Sequence, residues 1–185
     1  MAQSKYIQSL KRAAGGRNLS NEWYRKKIRE FGKPNAQQLI TDGKSSASPF
    51  FGRLNMFFYS PKLKQKLPYY DIFPLVLPLE SYSGGFLGIN FHYLPIPLRV
   101  GLLDTLTEYS SNDNFDKTTK LNVNYNNVKG IGLVKPTLHK YLNGFTRSSF
   151  RRIDADEFVI ATLLPVQQFR KASSRKVWSD SRKMI

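Results

Sequence analysis

The chain has no cysteine and only two histidines, His92 and His139, among 185 residues. The missing cysteines exclude disulfides and thiolate metal sites and fit a reducing compartment. Alternation puts His92 on the polar face of a strand, and the sequence around His139 reads as a short helix. Without cysteine partners, each histidine is expected at the surface or in a hydrogen bond rather than on a metal. No apolar run reaches the length of a transmembrane helix. The N-terminus also lacks the apolar segment of a signal peptide, so no membrane anchor is expected. Acidic residues are scarce, 13 against 29 Lys and Arg. Asp154, Asp156 and Glu157 form the tightest carboxylate group. A metal-dependent nuclease needs carboxylates converging from separate elements, usually with a lysine. Turn and capping roles account for this group instead. No Ser–His–Asp order stands out. Gly43, Lys44 and Ser45 end as a P-loop does, but Gln38 stands where the first glycine is required and no strand precedes it. The expectation is a protein that is not an enzyme, with no cofactor and no metal.

What the chain has in excess is positive charge, +16 in all. Residues 1–33 hold nine Lys and Arg against Glu22 and Glu30, a net +7. Residues 166–185 hold six against Asp180, a net +5, so the 132 residues between carry only +4. Charge concentrated at both ends of a nearly balanced centre points to arms that meet a polyanion. A hydrophobic share of 41% with 14% aromatics is enough for a folded core.

That core is centred on residues 54–109. Residues 86–94 alternate, with Leu87, Ile89, Phe91 and Tyr93 on one face and Gly88, Asn90 and His92 on the other, the period of a half-buried strand. Residues 72–79 alternate too. Pro74 and Pro78 share a parity, and their missing N–H groups predict an edge or bulged strand. A turn sequence at 80–85 joins the two runs into a hairpin with a longer loop. Residues 56–59 read as a third short strand. Beyond Pro95 and Pro97, Leu98, Leu102, Leu106 and Tyr109 recur at helical spacing.

Before the core, residues 20–31 form an amphipathic basic helix. Ser20 or Asn21 caps it, and Gly32 with Pro34 stops it. Tyr24, Ile28 and Phe31 share its apolar face, and Arg25, Lys26, Lys27 and Arg29 populate the rest. Such a helix can lie along phosphates or dock on a neighbouring subunit. Residues 35–53 read as a turn-rich linker. After the core, residues 121–125 are expected as a strand. Pro136 sits at a natural first helical position, with Gly144 as a stop. Residues 145–153 and 158–164 read as two strands, the second because Val159, Ile160 and Thr162 are β-branched. A capping box at Asp154 and Glu157, starting a helix, is the alternative. The tail from 166 carries Trp178 among Arg and Lys, where an aromatic can stack on a base or grip a protein groove.

Four phrases, FFYSPK (57–62), LPYYDIFPLV (67–76), GFLGINFHYLP (85–95) and FRKASSRKVW (169–178), resemble small basic virion proteins of large contractile-tailed bacteriophages, a family described as DNA end-protector proteins. The resemblance covers most of residues 54–178. It implies a role in capping the termini of the packaged genome at the head–tail junction and blocking host exonucleases. It carries over no catalytic residue.

The whole reads as an α+β protein. A small SH3-like antiparallel β-barrel or curled sheet carries a few short helices and extended basic N- and C-terminal arms. Residues 1–53 are a basic arm with its amphipathic helix and linker, 54–165 a β-rich core domain, and 166–185 a basic tail. The expected function is a non-enzymatic virion structural protein in contact with DNA. The candidate nucleic-acid-binding residues are Lys11, Arg12, Arg17, Arg25, Lys26, Lys27, Arg29, Arg170, Lys171, Arg175, Lys176 and Trp178. Expected partners are double-stranded DNA and other virion proteins, in multiple copies, in the virion and in the host cytoplasm during assembly. The rival readings are an architectural neck, tail or baseplate subunit whose arms bind acidic neighbours, a ribosomal-type RNA-binding protein, and a head-completion nuclease.

Overall fold

The computed structural model describes residues 44–185, and the expected basic helix at 20–31 lies outside them. The longest pairing is a hairpin of β4 (Leu75–Tyr82) and β5 (Gly85–Asn90). The turn is tighter than the sequence suggests. Tyr82 pairs with Gly85, leaving Ser83 and Gly84 as a two-residue loop, and Gly84 takes φ +83°, a conformation open to glycine. The register slips by one between Pro78 and Glu80, so Leu79 is an extra residue in β4. Proline is tolerated beside such a bulge because the ladder is already interrupted there. The bulge expectation holds, but the edge expectation does not: β4 lies between β2 (Leu54–Met56) and β5.

Six strands form one sheet in the order β1-β7-β2-β4-β5-β6, with every neighbouring pair antiparallel. Here β1 is Ser45–Ser46, β6 is Leu138–Leu142 and β7 is Phe150–Ile153. The sheet is open, with β1 and β6 at its two edges, and does not close into a barrel.

Both faces of the sheet are covered, which explains why the centre of β4 is apolar at every position. Leu75, Leu77, Ile89 and Ile153 face a core shared with α1 (Ile96–Leu106) and α3 (Phe158–Leu163). Val76 and Phe86 face an aromatic cluster centred on Phe57. The Phe57 ring meets those of Phe150 at 4.6 Å, Tyr141 at 5.4 Å, Phe86 at 6.1 Å and Tyr59 at 6.2 Å. Such ring pairs contribute about 0.5–1.5 kcal/mol each beyond area burial.

Four sequence expectations are corrected. Residues 158–163 are helical. Every residue of α3 is buried, in a core shared with α1 and the sheet, so tertiary packing overrides the β-branched propensity. The segment after Pro136 is the strand β6, because β5 offers an unpaired edge and takes five partners from it, Leu138 to Leu142. Residues 121–125 contribute only one bridge, Ser110 with Leu121. Asn124 then caps a single turn, α2 (Tyr125–Val128), by exchanging hydrogen bonds with Asn127. The tail beyond 166 is not extended. β8 (Phe169–Arg170) pairs with β3 (Tyr70–Asp71), and α4 (Ser174–Arg182) follows, capped by Ser173, with Val177 fully buried.

Candidate nucleic-acid interface

The β5 strand ends at Asn90 because its side-chain Oδ1 accepts from the His92 amide at 3.0 Å and turns the chain into a short 3-10 turn, Phe91–Tyr93. His92 therefore points inward and is fully buried rather than lying on a polar strand face, and the expectation of a hydrogen-bonded histidine holds. Its Nδ1 lies 2.7 Å from Asp71 Oδ2. Asp71 also accepts from the amides of Phe73 and Gln168 and from the side chain of Asn90. Burial by itself raises the pKa of such a carboxyl. The contact with His92 and the two amides outweigh it, and Asp71 stays below the usual carboxylate range. Burial pushes the His92 imidazole below its ordinary value despite the pull of Asp71. The pair is thus a carboxylate accepting from a neutral imidazole.

Arg99 of α1 is buried beside this pair. Its guanidinium donates to the carbonyls of Leu94, His92, Thr162 and Leu164 and to Gln167 Oε1. Thr162 and Leu164 stand at the C-terminal end of α3, whose last carbonyls have no intrahelical donor. Burial pushes Arg99 down to about 9, partly offset by Asp71.

Over this network opens a cleft of about 420 Å³. Its buried members include Tyr59, Asp71, Asn90, Tyr93 and Tyr141, and its half-buried walls include Tyr69, Tyr70 and His139. Lys135, Lys140, Leu67 and Pro68 are exposed at the rim, and Ser181 and Met184 close it from α4 and the chain end. The second histidine, His139, is half-buried and lies on a strand rather than in the expected short helix. It sits on β6 with its ring 4.0 Å from that of Tyr93. Burial pushes its imidazole down to about 4, and its Nε2 is buried without a hydrogen-bond partner.

The turn preceding the cleft carries Lys62, Lys64 and Lys66, all exposed. Lys171 pins this turn to β8, donating from Nζ to the carbonyls of Gln65 at 2.9 Å and Leu67 at 3.0 Å. Of the sequence-predicted residues, Lys11, Arg12, Arg17, Arg25, Lys26, Lys27 and Arg29 lie outside the described part. Arg170 is exposed on β8 opposite Tyr70, and Arg175 and Lys176 are exposed in the first turn of α4. Lys176 is held by Asp180 at 2.7 Å. Trp178 is half-buried. Its Nε1 donates to the His92 carbonyl at 2.9 Å, and its ring lies under Arg99 at 5.7 Å. The structure thus brings Lys171 to the turn of the three lysines, leaves Arg170 exposed beside it in sequence, and turns Trp178 into the protein. Sequence reading missed Lys62, Lys64, Lys66, Lys135, Lys140 and the tyrosines of the cleft. The Lys-x-Lys-x-Lys alternation between Pro61 and Pro68 was the available signal for the first three.

Asp154 is tied to Arg152 at 2.7 Å and to Arg53 at 3.5 Å. Arg53 in turn donates to the carbonyls of Lys117 and Thr119, so this carboxylate belongs to a network joining loops. Among the described residues, no three or more His, Asp or Glu group together as metal ligands, and no helix is long and apolar enough to cross a membrane.

An open antiparallel sheet with a few short helices and an aromatic cleft bordered by lysines defines a small basic α+β protein. The chain belongs to the family of the Phage T4 terminal DNA protecting protein, whose family model matches residues 4–181. No curated protein and no solved structure matches it.

Proposed function

We propose that this protein binds the ends of linear phage DNA and shields them from exonucleases without cutting or joining DNA itself. The family match over residues 4–181 carries the reading. The charge of +16 and the cation-bordered cleft support it. In the virion, capping at the head–tail junction places the protein among other virion proteins, in multiple copies, with its basic segments on the packaged terminus. Exonucleases start at a free end, so a protein seated on that end blocks them by exclusion alone and needs no catalytic group.

The test pairs two digestions. Linear duplex DNA saturated with the protein is given an exonuclease, and the same complex is given an endonuclease that cuts at internal sites. Capping predicts that the linear DNA survives the first and is cut in the second. Equal susceptibility to the exonuclease with and without protein refutes capping. Incubation of linear and circular DNA with Mg²⁺ or Mn²⁺ should produce no new ends. Specific cleavage that disappears in Asp154→Asn would establish a nuclease instead.

A further inference from the structure

Resting on the end-binding reading, we propose that the cleft bounded by Tyr69, Tyr93, Tyr141 and His139 takes a single unstacked nucleobase from the terminus of the DNA. Its volume of about 420 Å³ suits one small planar group rather than a duplex. Its rings offer faces and edges for a π-system, and stacking on aromatics accepts any base.

The charges in and around the cleft are sorted by depth. The cations Lys135 and Lys140 stand at the exposed rim, and Lys140 Nζ also lies 5.7 Å over the Tyr82 ring. The neighbouring turn, which contributes Pro61 and Leu67 to the lining, adds Lys62, Lys64 and Lys66. At the bottom lies ionised Asp71, whose acceptor positions are filled by Phe73, Gln168, Asn90 and His92. An anion at the bottom repels phosphate, and cations at the rim attract it. A nucleotide therefore enters base first, with its phosphate left at the lysines. Neutral His139 supplies a buried Nε2 without a partner, which a polar base edge can satisfy.

The same geometry yields preference for ends. A base inside a duplex must break its pair and both stacks to reach such a cleft. A terminal base has only one stack to leave, so its extrusion costs less. A one-base cleft beside a row of lysines reads an end without reading sequence.

The test uses the full chain and duplexes carrying 2-aminopurine at a terminal or an interior position, with a hairpin-closed duplex of equal length as the end-free competitor. The variants are His139→Leu, which removes the ring nitrogen, and Tyr69→Leu, which keeps apolar volume but removes the half-exposed ring. Wild type should change the fluorescence of the terminal probe and leave the interior probe alone. Each variant should lose that change and about tenfold of the preference for open over closed ends. Circular dichroism and urea unfolding check that the variants are folded. His139→Leu removes an unpartnered polar atom together with the hydrogen bond of the imidazole to the Pro136 carbonyl, so its unfolding midpoint at pH 7 should stay close to that of wild type. Variants that keep the terminal signal and the end preference overturn the cleft assignment while exonuclease protection stands. A wild type that binds open and closed duplexes equally, with no protection, overturns end capping and the cleft with it.

Discussion

The buried imidazole of His139 makes the protein sensitive to mild acid, and by an amount that can be worked out. In the unfolded chain a histidine titrates near 6.5, and burial holds His139 at about 4 in the fold. Between these values the unfolded state binds the proton and the folded state does not. Stability is therefore complete above about pH 6.5 and is lost as pH falls toward 4. A gap of roughly 2.5 units integrates to roughly 2 kcal/mol between pH 7 and pH 4.5. That is a substantial part of the ~5–15 kcal/mol typical of a domain. His92, also displaced downward, adds loss of the same sign as pH falls below about 6.5. Asp71 is displaced below the usual carboxylate value, so its contribution is present above about pH 4 and fades only below it. Urea unfolding of wild type and His139→Leu at pH 7 and pH 4.5 isolates the share of one residue. The variant should lose about 2 kcal/mol less on acidification than wild type does. An equal loss in both proteins would show that His139 is not held neutral and that the burial argument fails.

Arg99→Met keeps bulk but strips donors from four buried carbonyls and leaves Asp71 without its nearby cation, so urea unfolding should show a loss of about 3–5 kcal/mol; a midpoint within error of wild type refutes this. Gly85→Ala would drive a methyl group into the Tyr141 carbonyl across the β5–β6 pair, and the expected cost is about 1–3 kcal/mol, with amide exchange quickening first along β6. Trp178→Phe removes the donor to the His92 carbonyl and should cost about 1 kcal/mol in thermal unfolding, while a neutral result would mean that ring packing alone seats α4. Changing Lys62, Lys64 and Lys66 to serine should flatten the salt dependence of DNA affinity by a slope of about 3, because each phosphate contact releases close to one counterion; an unchanged slope would remove that turn from the interface.

Local patterns were enough where neighbours in sequence are also partners in space. The β4–β5 hairpin followed from two alternating runs and a turn sequence. α1 followed from leucines at helical spacing behind two prolines. The phrases carrying the family resemblance lie in this same stretch and its C-terminal echo, and the excess of positive charge needed only counting. A bulge at Pro78 was legible because a missing N–H is a property of the residue itself.

Other features depended on distant contacts, and there the sequence misled or was silent. Residues 158–163 are β-branched yet helical, because α1 and the sheet bury them on every side. Residues 138–142 follow a helix-start proline yet form a strand, because β5 had an edge to fill. Alternation placed His92 on the polar face of a strand and the proline before it placed His139 in a short helix, each at the surface or in a hydrogen bond. The turn at Asn90 buries His92 and the pairing of β6 holds His139 half-buried against Tyr93, and the pKa values of both fall. The cleft joins residues from 59 to 184 and has no local signature at all. Charge, turns and hairpins are one-body or short-range properties that a sequence displays directly. Burial and the meeting of Asp71 with His92, Arg99 with α3, and Tyr93 with His139 are properties of chain closure, and only the folded molecule decides them.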